Sequence, residues 1–128
     1  MPSSEATTLG VKVQVVSEYD PERSRPLEHQ WYFRYTITIT NQKSETVQLL
    51  SRHWIITDGR GKVDEVRGLG VIGQQPAIEP GESYTYSSGA SLQTSSGNME
   101  GTYQMAAQSG QLFDVKIARF SLQQVTVH

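Results

Sequence analysis

Gly68-Leu69-Gly70-Val71-Ile72-Gly73, with Arg67 directly before it, spells G-x-G-x-x-G, and whether it opens a helix decides the fold. In a dinucleotide-binding domain this spacing follows a strand and starts a helix whose N-terminus holds a pyrophosphate. Here Gln74-Gln75-Pro76 follows the third glycine, and Pro80-Gly81 comes shortly after. Pro76 is tolerable in a first helical turn, but Pro80 falls in what would be helix interior. Ser83-Tyr84-Thr85-Tyr86-Ser87-Ser88 then has the composition of a strand. The glycines therefore lie between two β-type segments. They read either as a phosphate loop on another scaffold or as a glycine-rich crossing that the sheet needs.

Working upstream, Lys62 to Arg67 is a short, charged edge strand, and Asp58-Gly59-Arg60-Gly61 is the hairpin turn before it. Val47 to Thr57 is apolar on both faces, as a central strand or one with a bulge would be. Trp31, Phe33, Tyr35, Ile37 and Ile39 alternate with Tyr32, Arg34, Thr36, Thr38 and Thr40, the clearest half-buried strand of the chain. Asn41-Gln42-Lys43-Ser44 is a turn, residues 19–29 with their two prolines a loop, and Leu9, Val11, Val13 and Val15 line one face of another strand. Residues 1–8, small and polar, are expected to be loosely ordered.

Downstream, Ile78-Glu79-Pro80-Gly81-Glu82 is a turn, Ser83–Ser88 a strand and residues 89–98 a long Gly/Ser/Thr-rich loop. Met99, Gly101, Tyr103 and Met105 alternate, and after the Ser109-Gly110-Gln111 turn so do Phe113, Val115 and Ile117. After Ala118 the phase moves to Phe120 and Leu122, which marks a bulge. The sum is about seven strands with no sustained helical period: all-β, one domain over 1–128, an antiparallel β-sandwich of two sheets. Periodicity alone leaves closure into a barrel open.

Composition narrows the function. Eleven Lys and Arg against thirteen Asp and Glu give a net charge of −2 in 128 residues, so no nucleic-acid partner is expected. No run approaches the roughly 18 apolar residues of a membrane span. Met-Pro-Ser-Ser-Glu lacks the basic and apolar regions of a signal peptide, and there is no cysteine for disulfides or thiolate-held metals. A cytoplasmic protein is the expectation.

The runs Arg34-Tyr35-Thr36-Ile37-Thr38-Ile39-Thr40-Asn41 and Leu50-Ser51-Arg52-His53-Trp54-Ile55-Ile56-Thr57-Asp58 resemble the ApaG family. So do Glu65 through Pro76, Pro80 through Ser88, and Gly97-Asn98-Met99-Glu100-Gly101-Thr102-Tyr103-Gln104-Met105. The resemblance covers nearly the whole chain. It implies an immunoglobulin/fibronectin type III-like sandwich in a bacterial cytoplasm, without a settled biochemical role. It further implies a loose link to cobalt and magnesium handling and to the neighbourhood of diadenosine-tetraphosphate metabolism. Related domains in eukaryotic F-box and polymerase-associated proteins imply an interaction role.

The sequence offers residues for three kinds of site. For phosphate, a nest of backbone amides over Gly68, Gly70 and Gly73, flanked by Arg67 and Arg52, would suit pyrophosphate or a nucleotide. Arg60 and Lys62 lie nearby, but the acidic residue on a second parallel strand, which holds ribose in dinucleotide sites, has no counterpart. For metal, His29, His53 and His128 are widely spaced, and Arg60 and Lys62 occupy the alternate positions where a calcium loop needs oxygens, so no metal site is assigned. For catalysis, Gly89-Ala90-Ser91-Leu92-Gln93 lacks the closing glycine of a nucleophile elbow, and Glu79 and Glu82 flank an open turn. His53 beside Trp54 reads as a packed, hydrogen-bonded residue. No catalytic residue and no cofactor are assigned. The remaining reading is a non-enzymatic module that binds an unidentified protein partner through an open sheet edge or the loops at 19–29 and 89–98, or pairs with its own copy. The phosphate or nucleotide sensor using residues 68–73 is the alternative.

Overall fold

A computed structural model describes residues 2–124 as two packed antiparallel sheets. The strands are β1 (Ser3–Thr8), β2 (Val11–Tyr19), β3 (Trp31–Asn41), β4 (Val47–Asp58), β5 (Val63–Leu69), β6 (Ala77–Ile78), β7 (Ser83–Leu92), β8 (Ser96–Ala107) and β9 (Leu112–Gln123). One sheet runs β1-β2-β3-β7; the other runs β5-β4-β8-β9, with β6 on the start of β4. No helix among the described residues is long and apolar enough to cross a membrane.

The alternations become the core. Val11, Val13 and Val15 of β2, Phe33, Ile37 and Ile39 of β3, and Val115 and Ile117 of β9 are all buried. Each such side chain contributes about 1.5–3 kcal/mol of apolar burial. The bulge expected after Ala118 is present, and β4 is both a central strand and a bulged one, the two readings its sequence leaves open. β4 carries an extra residue between Leu49 and Ser51, and the β8–β9 register shifts between Met99 and Gly101. Through the second shift Phe120 and Leu122 point inward after Ile117.

Three expectations are corrected. Ser3–Thr8 is not loose but a strand: the tight Leu9-Gly10 turn folds it back along β2. Ser4 Oγ donates to the Ala118 carbonyl (2.8 Å), and Thr8 Oγ1 accepts from the Lys116 amide (3.1 Å). These bonds set β1 beside β9 and close one side of the sandwich. The long loop at 89–98 is also absent, because β7 runs to Leu92 and β8 begins at Ser96. Small residues there make room for neighbours, and Tyr32 lies across Gly89. Finally, nine strands rather than about seven make up the sandwich, β1 and the two-residue β6 being the additions.

Two buried polar features tie the layers. Asn41 is fully buried; its Nδ2 donates to the Glu45 (2.8 Å) and Ile78 (2.9 Å) carbonyls, and its Oδ1 accepts from the Lys43 amide. Between the sheets, Trp54 stacks at a tilt on Tyr35 (5.5 Å between ring centres) and meets Phe120 edge-on (5.9 Å), while the Tyr86 and Tyr103 hydroxyls share a hydrogen bond across the layers. Burial raises all three phenols, Tyr103 well above its ordinary range. The Ser88 hydroxyl partly offsets the shift at Tyr35, and the Arg52 charge pulls each of the three slightly the other way.

Asn41→Ala removes all three bonds and strands two carbonyls, so it should cost about 2–3 kcal/mol in urea unfolding. The phenols give a pH signature. In the unfolded chain they ionise near pH 10, while the fold postpones that step, so the unfolded state loses protons first. Stability is therefore retained below pH 10 and lost as pH rises above it, by up to about 1.4 kcal/mol per pH unit for each phenol. Urea midpoints taken from pH 8 to 11.5 should show this decline, and Tyr86→Phe should make it shallower.

Candidate functional site

The sandwich is closed on its β1–β9 side and open on the other, where β7 and β5 face each other without pairing. The two edges differ in chemistry. The Asn41 amide donates to the Glu82 carbonyl (3.0 Å), which fixes the phase of the β3–β7 ladder. Tyr84, Tyr86, Ser88 and Ala90 then bond to β3, while Ser83, Thr85, Ser87, Gly89 and Ser91 turn their N–H and C=O groups outward. From Ser83 to Leu92 there is neither a charge nor a proline. β5 carries Asp64, Glu65 and Arg67 within seven residues, the usual protection of an edge. β7 has none.

The inner wall of the opening is β5 and the glycine loop. Val66 pairs with Trp54 and so faces inward, yet it is 41% exposed because β7 does not reach over it, whereas Trp54 is 3% exposed. Ile72 (60%) continues the apolar lip, while Leu69 (78%), paired with Ser51, stands at its outer margin. The chain turns back at Val71–Gln74, whose backbones exchange hydrogen bonds (2.8 and 3.0 Å), with Ile72 at φ 49° and Gly73 at φ 73°. Those angles make a type I′ turn, which ordinarily takes Asn or Asp followed by Gly. A β-branched residue there is strained by about 1–3 kcal/mol.

Two cavities lie along the opening. One, of about 330 Å³, lies between Asp58, Lys62 and Asp64 on one side and Ser91 and Leu92 on the other. The second, of about 260 Å³, is lined by Tyr35, Arg52, Leu69, Ile72, Tyr86 and Ser88. Arg52 points inward because of the extra residue in β4. Its Nη1 donates to the Leu69 (3.1 Å) and Gly70 (2.8 Å) carbonyls, and the guanidinium lies flat on Gly68, within 2.9 Å of where a Cβ would stand. A Cβ on Gly70 would run into the Gln74 carbonyl. Among the described residues no carboxylate lies within ion-pair distance of Arg52, and its Nε and Nη2 have no hydrogen-bond partner.

The sequence-derived phosphate set is thus placed as follows. Gly68, Gly70 and Gly73 share one compact loop with Arg52 packed on it. Arg67 pairs with His53 in register and projects from the opposite, outer face, where Glu65 lies 2.8 Å from His53 and 3.9 Å from Arg67. The amides of Gly70, Val71 and Gln74 already donate to backbone carbonyls. Of the histidines, His53 is on that outer face rather than packed inside, His29 closes the 3-10 turn Pro26–Glu28, and His128 lies outside the described residues. The lining residues that periodicity does not single out are Val66, Ile72, Tyr86 and Ser88; Tyr35 is legible as a core position but not as part of a site. The one signal for them was Ile72-Gly73, a turn dipeptide with the wrong first residue.

The family model described as the ApaG domain matches residues 21–107. Protein ApaG of Aromatoleum aromaticum is 50% identical over 119 residues, 93% of this chain and 94% of that one. Protein ApaG of Pseudomonas putida is 54% identical over 112 residues, 88% and 89% of the two chains. The crystal structure of the ApaA protein of Bordetella pertussis matches with a TM-score of 0.87 at 50% identity, over 89% of this chain and 93% of that one. The C-terminal domain of Wzt, at 9% identity and a TM-score of 0.56, shares the fold alone. With β3 through β8 inside the family match and relatives similar over almost the full length, the chain belongs to the ApaG family.

Proposed function

We propose that this sandwich is a non-catalytic binding module that takes up an extended segment of a partner protein along β7. The observation that carries the reading is the unequal protection of its two free edges: β5 is charged, and β7 is ten residues without a charge beside uncovered, inward-facing Val66. A segment added to β7 would gain a ladder of main-chain hydrogen bonds and set alternate side chains over Val66 and Ile72. The strain at Ile72 supports the same reading, because it holds an apolar side chain in solvent where Asn would be easier. On this reading a cytoplasmic role in cobalt or magnesium handling runs through the partner. The phosphate alternative rests on Arg52 and Arg67, since three amides of the loop are already bonded.

In the free protein, hydrogen exchange should be slow at Tyr84, Tyr86, Ser88 and Ala90 and fast at Thr85, Ser87, Gly89 and Ser91. Segments selected from a random twelve-residue display library should protect the second set. Binders that leave those amides exchanging would overturn the reading, and protection that appears without peptide as concentration rises would make the occupant a second copy. Ser87→Pro removes an outward donor without touching the β3 ladder, and it should weaken capture at least tenfold.

The hairpin tips supply a control pair. Leu9 (φ 48°) and Ile72 (φ 49°) both hold the first corner of a tight turn. Replacing either by Asn should raise stability by about 1 kcal/mol in urea unfolding. Only Ile72→Asn should also weaken capture.

A further inference from the structure

We infer that the segment taken up along β7 presents a carboxylate to the cavity around Arg52, so that the partner's motif is an extended run with an acidic residue among apolar ones. The inference rests on the β7 reading and names the chemistry of its occupant. Arg52 is the point of departure. Its guanidinium is half-buried and fixed through Nη1 by two backbone carbonyls, while Nε and Nη2 have no partner and no carboxylate stands within ion-pair reach among the described residues. A partly desolvated cation held this way has bonds to give and is already preorganised to give them. The other polar side chains lining the cavity are neutral: the hydroxyls of Tyr35, Tyr86 and Ser88 and the indole of Trp54. Burial keeps the two phenols protonated, so they face an incoming oxygen as donors or neutral dipoles rather than as competing anions.

The size and charge of the site favour a carboxylate over the alternatives. About 260 Å³ takes a side chain and no nucleotide. One guanidinium balances a single negative charge, whereas a phosphate dianion would call for further cations or free loop amides. The Gly70, Val71 and Gln74 amides are bonded, which leaves only the two turn-corner amides of Ile72 and Gly73, and Arg67 is on the outer face. A second copy of this chain pairing through its own β7 would bring no acidic residue between Ser83 and Leu92. The opposite end of the opening has the reverse sign, since Asp58 and Asp64 outnumber Lys62 there. The two ends therefore give the bound segment a direction, with its acidic residue beside Ser88 and any basic residue beside Ser91.

The test uses two capped synthetic peptides of alternating threonine and valine that differ only in a central Glu or Gln. Binding is followed by exchange at β7 and by the Arg52 side-chain Nε–H resonance. The Glu peptide should bind about tenfold tighter and shift that resonance, the advantage should shrink in high salt, and Arg52→Gln should abolish it. Because Arg52→Gln also removes the bonds that hold residues 69–70, Ser88→Ala serves as the second variant. It leaves the loop untouched and should reduce the preference about threefold, while Arg52→Lys should retain part of it. Equal binding of both peptides with β7 protected would overturn the carboxylate inference and leave the edge reading standing. If neither peptide protects β7, the edge reading falls, and acetate titrated alone decides the remainder: a millimolar shift at Arg52 Nε–H sustains a carboxylate site, and its absence ends it. Pyrophosphate that displaces the Glu peptide more strongly than acetate would overturn the choice of carboxylate in favour of phosphate.

Discussion

One extra residue in β4 governs what this sandwich can present. Val47 and Leu49 face the core, the register then slips, and from there Arg52 and Trp54 face inward while Ser51 and His53 face out. Without the slip, side chains two apart would keep one face, and Ser51 and His53 would point into the layer between the sheets. With it, Trp54 becomes the ring around which Tyr35, Tyr103 and Phe120 are arranged. Arg52, one period earlier on the same face, falls at the margin of that aromatic layer, where a cation can keep contact with water. The bulge thus sets the core and the candidate site in one step, as bulges near functional sites commonly do.

The closed and open sides of the sandwich follow from where hydrogen bonds can be satisfied. On the β1–β9 side, Ser4, Thr8 and Ser17 reach across to backbone groups of β9, so strands of different sheets are sewn together by short side chains. On the β5–β7 side, among the described residues, the spanning contacts lie at the two ends, Gly59 N–H to Thr94 Oγ1 (2.8 Å) and the Tyr84 hydroxyl to Gln74 Oε1 (3.5 Å), and between them Val66 stays partly wet at a position whose partner in register is covered. Exposed apolar groups on charged or twisted edges are ordinary. A long uncharged edge beside an uncovered core position is not, because it invites pairing that most sheets are built to prevent. Retaining it is easier to understand if pairing is what the edge is for.

How far the sequence carried depends on the kind of constraint. Strands whose one face is buried announce themselves by period two, which is why β2, β3, β8 and β9 are legible, as is the phase shift after Ala118. Ser3–Thr8 is not, because its side chains are small and polar and its order comes from main-chain pairing with β2 across a Leu-Gly turn, reinforced by two bonds to residues more than a hundred positions away. Residues 89–98 read as a loop for a related reason: Gly89 leaves room for Tyr32 and Gly97 for the Thr57 carbonyl, tertiary facts with no local trace. For the site, Arg52 and the three glycines were picked out, and Arg67 with them. What could not be read was that Arg52 and Arg67 lie on opposite faces, since that depends on one residue of register. The edge chemistry of β7 was in plain view as composition, but it acquires meaning only once β7 is known to be an edge.

The glycine motif shows how a spacing can match while its cause differs. In a dinucleotide site the three glycines share one purpose, bringing backbone close to a pyrophosphate and a helix close to a strand. Here each answers to a different neighbour. Gly68 is where the Arg52 guanidinium lies flat on β5, Gly70 is where the Gln74 carbonyl crosses closely, and Gly73 takes the second corner of the turn at φ 73°. These demands come from the β4–β5 register and a two-residue hairpin, and they fall at the first, third and sixth positions because a strand residue, its exit and a tight turn are spaced that way. The spacing therefore needs no phosphate to account for it. The residue between the second and third glycines is the unusual one: Ile72 is β-branched, exposed and at positive φ, and it differs from Leu9, the equivalent corner of the β1–β2 turn, in standing on the open side of the sandwich.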